Sequence, residues 1–300
     1  MHVFVTGASG WIGSATVREL LEAGHKVVGL ARSADAVEAV DAAGAEPLRG
    51  SLADLDTLRS AASDADAVIH LAFRHDIAFT GDFLGAVDSD RRAIEVFGDA
   101  LEGSDRPLLI ASGTLGLAPG RVGTELDRPD PATHPRIANA QAALALADRG
   151  VRSVLIRFAP TVHGEGDHGF VATLMNIARE KQLAGYLGDG SNRWPAVHRL
   201  DAAALVRLAL ENAPVGSVLH ATDEDGIPTR LIAEAIGRQL DVPLAAVPAE
   251  QAAEHFGFLA DFFGRDTPAS SVLTRELLGW APSHPGLLAD LDAGRYTSSA

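Results

Sequence analysis

Short apolar runs alternate with amphipathic stretches along the first half of the chain. HVFVT (2–6), KVVGLA (26–31), AEPLRG (45–50), ADAVIHLA (65–72), PLLIASG (107–113) and VRSVLIRF (151–158) predict six strands. Helical spacing predicts a helix from Trp11 to Ala23 that Gly24 stops, a second capped by Ser33, and a third over about 86–102. Strands that alternate with helices pair in parallel through right-handed crossovers. The pattern therefore predicts an α/β fold, a doubly wound parallel sheet covered on both faces. After Pro160 the rhythm changes, and Gly, His, Asp and Pro separate shorter helices over 170–180, 201–212 and 229–240, with Asp201 as the N-cap of the second. No repeat or low-complexity linker divides the chain. The expected organisation is a first lobe over 1–160, with 201–215 packing back on it, and a smaller, discontinuous α+β lobe over 161–300.

VTGASGWIG (5–13) places three glycines at intervals of three, where the first strand meets the first helix. In that context each has a physical task. Gly7 permits a tight turn, Gly10 lets backbone approach a diphosphate, and Gly13 lets helix and strand pack closely. The uncapped amides of the helix start then face negative charge. The motif predicts a Rossmann-type dinucleotide site. At the end of the second strand, GLARS puts Ala31 where an NAD-selective site carries a carboxylate, and Arg32 follows. A guanidinium suits a 2′-phosphate, so NADP is favoured, with NAD still open.

Composition narrows the class. Of 300 residues, 47% are hydrophobic, enough for a large core. The formal net charge of −15 repels phosphate backbones and anionic lipids, which argues against nucleic-acid and membrane partners and for a small-molecule substrate. With no cysteine, thiolate chemistry and disulfides are excluded. No signal-like segment or long apolar span is evident, so the expectation is a soluble, cytoplasmic protein, monomeric or homodimeric.

TGASGWIG, VIHLA, LIASGT, RFAPTVHGEGD, LGDGSNRWPAVHRLDAA and LTRELLGWAP together resemble, in that order and over nearly the whole chain, the extended or atypical short-chain dehydrogenase/reductase superfamily. The epimerase/dehydratase branch is the nearest likeness. The resemblance implies that Gly7, Ser9, Gly10, Trp11, Ile12 and Gly13 line the diphosphate turn, and that Arg32 and Ser33 face the 2′-phosphate. It implies Ser51 and Leu52 beside the adenine, Leu71, Ala72 and Phe73 past the ribose, and Pro160, Thr161 and Val162 near the nicotinamide. Asp90 falls where many members carry Asn.

Family chemistry rests on a Tyr-x-x-x-Lys pair on the helix after the fifth strand, helped by Ser or Thr. Thr114 matches the helper position, with loop capping as the alternative. The corresponding helix, THPRIANAQAALALADRG (133–150), holds neither Tyr nor Lys, and the two tyrosines, Tyr186 and Tyr296, begin no such pattern. His163, where a family Tyr often stands, is the first replacement candidate for proton transfer; His134 and His75 follow. Three readings result: an NADP(H)-dependent oxidoreductase acting on a small carbonyl or alcohol, a sugar-nucleotide epimerase or dehydratase, or a catalytically silent NADP(H)-binding redox sensor. Arg193, Trp194 and His198 border a cleft or fill the lobe interface, and Phe256, Phe258, Phe262 and Phe263 wall an apolar pocket or belong to the core. HGEGDH (163–168) has glycine-broken spacing that argues against a metal site, and no metal is expected.

Overall fold

The computed structural model describes residues 1–78, 80–294 and 296. Its strands in chain order are β1 (His2–Thr6), β2 (Lys26–Ala31), β3 (Glu46–Arg49), β4 (Ala67–His70), β5 (Pro107–Gly113), β6 (Arg152–Phe158), β7 (Thr161–His163), β8 (Ala184–Leu187), β9 (Arg193–His198), β10 (Val218–Ala221), β11 (Glu224–Pro228) and β12 (Leu244–Val247). The helices of the first half are α1 (Trp11–Glu22), α2 (Ala34–Ala42), α3 (Leu55–Asp64), α4 (His75–Ala78), α5 (Phe83–Leu101) and α6 (Pro135–Ala145). Those of the second half are α7 (Phe170–Lys181), α8 (Arg199–Asn212), α9 (Thr229–Leu240), α10 (Ala252–Phe256), α11 (Ala260–Phe263), α12 (Val272–Leu278) and α13 (Leu287–Asp292).

Seven parallel strands form the main sheet in the order β10-β6-β5-β4-β1-β2-β3. β4 is buried along its whole length and β1 and β6 over all but their first residue, which is why their sequences are apolar runs rather than alternations. One face packs Val3, Val5, Ile69 and Ile156 against Val17 and Leu20 of α1 and Leu205 and Val206 of α8. The other packs Phe4, Val68, Leu108 and Leu155 against Leu58 of α3, Ile94 and Phe97 of α5 and Ala143 of α6. The sheet is thus doubly wound, as the alternation predicts. Chain order reverses on either side of β1, which opens a crevice at the C-terminal strand ends.

A second body gathers the three-stranded sheet β11-β9-β7 and the parallel pair β12-β8. Its core holds Trp194, Ile232, Phe256 and Phe263, all buried. Among the elements that the sequence reading missed or displaced, such as α3 and the strands of the second body, two bear on the main sheet and the helix packed on it. β10 joins the main sheet as an edge beside β6; four residues of VLHA between turns carry too little periodicity to announce it. The helix expected to start after Asp201 starts at Arg199 instead, and His198 caps it, its Nδ1 accepting from the Leu200 amide at 3.2 Å. The Asp201 carboxylate serves another purpose: it accepts from the Ser283 and His284 amides and from His284 Nδ1, fastening the C-terminal segment to α8.

Candidate functional site

Two positions where β1 turns into α1 admit only glycine. Gly7 has φ +72°, and a Cβ there would lie 2.9 Å from the Ala72 amide nitrogen. A Cβ on Gly13 would stand 1.9 Å from the Gly7 carbonyl oxygen. No side chain caps α1 and its first turn carries no acid, so the amides at its start have no counter-charge of their own. This cradle, pressed against Leu71 and Ala72 at the end of β4, fits the diphosphate of a dinucleotide. Trp11 closes one side: its Nε1 donates to the Val162 carbonyl at 2.7 Å, and the Arg199 guanidinium lies 4.2 Å over its ring. Trp11, Val162, Leu71 and Ala72 are thereby brought round the turn, with Ser9 and Ile12 on it and Pro160 leading from β6 into β7.

At the end of β2, Arg32 is exposed and its Nη1 pairs with Asp76 Oδ2 at 3.0 Å. Arg74 holds both oxygens of the same carboxylate. The Arg74 hydrogen bonds first, and then Arg32, bring Asp76 down to about 2. Two guanidiniums therefore share one carboxylate, leaving a net positive charge there. The neighbouring hydroxyls are engaged within the fold. Ser33 Oγ accepts from the Ala36 amide as the N-cap of α2, and Ser51 Oγ donates to Asp54. Leu52 is buried.

Beyond β4 the interior is polar. Thr6 Oγ1 and His70 Nδ1 lie 2.6 Å apart, His70 Nε2 meets Asp90 Oδ1 at 3.2 Å, and Asn139 Nδ2 donates to Asp90 Oδ2 at 2.7 Å. All four residues are buried. Asp90 is held below the usual carboxylate range: burial opposes its charge most strongly, but the His70 and Asn139 hydrogen bonds outweigh that cost. The inward face of α6 thus carries Asn139, Ala140 and Ala143, and no phenol or ammonium. Neither tyrosine replaces them. Tyr296 donates to Asp167 at 2.9 Å, and burial, then the Asp167 charge, push its phenol up, away from proton transfer near neutrality. Tyr186 sits on β8 under Arg230.

Thr114 follows the last residue of β5. It is 1% exposed, and its Oγ1 has no partner among the described residues. A buried hydroxyl left unpaired costs free energy of about 1–3 kcal/mol, which a ligand oxygen recovers. Its chain neighbours Ser112, Gly113 and Leu115, though not Thr114 itself, line a cleft between β5 and α6 with Ile137, Ala140 and the cations Arg128 and Arg157. His134 caps α6 and is exposed, and His75 opens α4.

His163 ends β7 fully buried. Its Nδ1 meets Asp290 Oδ2 of α13 at 2.7 Å, and its Nε2 is unpaired among the described residues. His198 stands edge-on to it, ring centroids 5.4 Å apart, and stacks on His284 at 4.6 Å. Burial first, then the His163 charge, holds His198 down at about 4. His198, Asp201 and His284 could together face an ion, but the Asp201 oxygens already accept the hydrogen bonds described above. Arg193 is spent on Asp266, and Trp194 lies wholly in the core. Phe256 and Phe263 line a small apolar cavity with Leu174, Ile177 and Leu183, whereas Phe262 stacks on Phe170 and Phe258 is exposed.

Residues 7–180, more than half the chain, match the family described as NAD(P)H-binding. The chain belongs to the NAD(P)H-binding family. Its fold is that of extended short-chain dehydrogenases/reductases, and its function is of the oxidoreductase type. An uncharacterised protein of Schizosaccharomyces pombe is 48% identical over 99% of this chain and 100% of its own. The 4-hydroxy-2-methyl-3-oxo-4-farnesyl-3,4-dihydroquinoline-1-oxide ketoreductase of Stigmatella aurantiaca is 27% identical over 86% of this chain and 80% of its own. UDP-glucose 4-epimerase of Thermotoga maritima, solved with UDP-glucose, superposes with TM-score 0.78 over 98% of this chain and 97% of its own, at 18% identity.

This NAD(P)H-binding protein holds functional candidates that the sequence does not advertise. Asp290 is 127 residues from the histidine it orients, and no local spacing points to it. Asn139 reads as a filler on an alanine-rich helix until Asp90 and His70 are found beneath it. The one available signal was Arg136, a lone cation opening the otherwise uncharged first turn of α6.

Proposed function

We propose that this chain is an NADP(H)-preferring oxidoreductase that moves a hydride between the nicotinamide and a small carbonyl or alcohol substrate. The observation that carries the reading is the cradle that demands glycine at 7 and 13 under an uncapped helix, with the Arg32–Asp76–Arg74 group at the next strand end. When bound, the cofactor supplies the hydride. The chain's own part is to hold it: Gly7, Ser9, Gly10, Trp11, Ile12 and Gly13 line the diphosphate, and Arg32 and Ser33 take the 2′-phosphate. Ser51 and Leu52 border the adenine. Leu71, Ala72 and Phe73 border the ribose, and Pro160 and Val162 the nicotinamide. Thr114 donates its free hydroxyl to the substrate oxygen, where a single such donor is worth about 100-fold in rate. His163, with Nδ1 fixed by Asp290, keeps Nε2 for the proton.

The ketoreductase likeness supports reduction of a ketone. Epimerisation of a sugar nucleotide is the weaker reading, because the inward face of α6 offers an amide already bound to a carboxylate where a proton-passing phenol is needed.

Calorimetric titration with NADPH and NADH tests the reading. NADPH binds more tightly, and Arg32→Ala weakens it by about tenfold or more while changing NADH by less than about twofold. Equal or tighter NADH binding refutes the preference. Tight NADPH binding with no turnover on a panel of carbonyl compounds moves the function to redox sensing.

A further inference from the structure

Arg136 occupies an unusual electrostatic position. The chain carries 40 acidic side chains against 25 Lys and Arg, so an unpaired, partly buried cation needs a reason. Its guanidinium carbon lies 4.3 Å over the centre of the Phe73 ring, and the side chain makes no hydrogen bond or ion pair among the described residues. The carboxylate whose charge it feels, Asp90, is committed to His70 and Asn139. Burial weakens the hold of Arg136 on its proton, and Asp90 only partly offsets this. The one further carboxylate felt in this cluster among the described residues is Asp76, which acts on His75 and is itself held by Arg74 and Arg32. Phe83 packs against Phe73 at 6.4 Å and against His134 at 5.3 Å, and His75 lies edge-on to Phe73 at 5.1 Å. Partial withdrawal from water, then the Arg136 charge, lowers both imidazoles. The first turn of α6 is free of acid, so its helix dipole adds to the positive potential.

The placement is equally specific. Phe73 lies three residues past β4, and α6 is the helix that returns from the C-terminal end of β5. Both therefore stand at the edge of the sheet where the cradle and Thr114 lie. A planar guanidinium stacked on an aromatic ring keeps its N–H edge in one orientation, which suits a carboxylate bound through two parallel hydrogen bonds.

We propose that Arg136, stacked on Phe73 and flanked by Phe83 and His134, binds the carboxylate of the substrate, so that the substrate class is an oxo acid or hydroxy acid with an apolar body. This deepens the oxidoreductase reading and rests on it. Arg136 acts in recognition, and its loss falls on KM before kcat.

The test uses the full chain with NADPH, 3-oxooctanoate, and the methyl ester of 3-oxooctanoate as the uncharged match. Wild type favours the acid over the ester by about 10- to 100-fold in kcat/KM, the worth of one charge-assisted hydrogen-bonded contact. Arg136→Gln raises KM for the acid by that factor and leaves both KM for the ester and the affinity for NADPH unchanged. Arg136→Lys, which keeps the charge but not the fork, falls between the two. Equal use of acid and ester, or an Arg136→Gln variant that loses both alike, overturns the proposal while the oxidoreductase reading stands. If neither compound turns over, calorimetry on the NADPH-saturated protein decides. Arg136-dependent binding of the acid upholds carboxylate recognition by Arg136 but overturns the oxo acid as substrate; no binding overturns both. Weaker NADPH or UDP binding in Arg136→Gln assigns the site to a nucleotide phosphate instead and overturns the proposal.

Discussion

Thr114 carries a hydroxyl that the fold has buried without a partner among the described residues. Replacing an unsatisfied buried hydroxyl by a methyl of the same shape costs little and can even stabilise. Thr114→Val is therefore expected to leave the melting temperature unchanged or slightly raised while turnover drops by about 100-fold and NADPH affinity holds. Melting curves beside steady-state rates check this, and unchanged turnover makes Thr114 structural. His163 is comparable: its Nδ1 is fixed by Asp290 and its Nε2 has no partner among the described residues. Single residues of this kind were partly legible in the sequence. Thr114 and His163 stand at motif positions, whereas Arg136, Asp90 and Asn139 became meaningful only when α5, α6 and β4 were seen face to face.

The β1–α1 junction is where sequence and structure agree most closely, because the constraint is local and steric. Only a residue without Cβ tolerates φ +72° at position 7 with backbone 2.9 Å away, and only glycine at 13 clears the Gly7 carbonyl. Gly13→Ala is expected to push α1 off β1, to destabilise the fold by about 1–3 kcal/mol and to weaken NADPH binding by more than about tenfold. Chemical denaturation together with calorimetry measures both, and wild-type affinity in the variant contradicts the cradle. Elements set by long-range pairing were less readable. β10 has four residues and no periodic signal, and the start of α8 at Arg199 depends on an imidazole cap that sequence rules rank below the nearby Asp201.

Several buried histidines tie the whole molecule together. His198 is held at about 4 by burial, then by the His163 charge, and His220, bonded to the Ser270 carbonyl and Arg157, is also brought to about 4, chiefly by burial. An unfolded imidazole titrates near 6.5, so between those values the unfolded chain binds protons that the folded chain refuses. Stability is full above about pH 6.5, falls as pH drops towards 4, and levels off below. His198→Asn, which keeps an N-cap for α8, should remove about 3 kcal/mol of that acid loss. Melting temperatures recorded from pH 7 to pH 4 test this, and an undiminished slope in the variant shows that His198 does not titrate in this range.

The edge strand β10 has a consequence for biosynthesis. When a ribosome has released only the first six strands, β6 still presents a bare hydrogen-bonding rim, and the hydrophobic surface that α8 later roofs is open to water. Some sixty more residues must emerge before that nascent half can be sealed, so the growing polypeptide passes through a stage that calls for chaperone shelter.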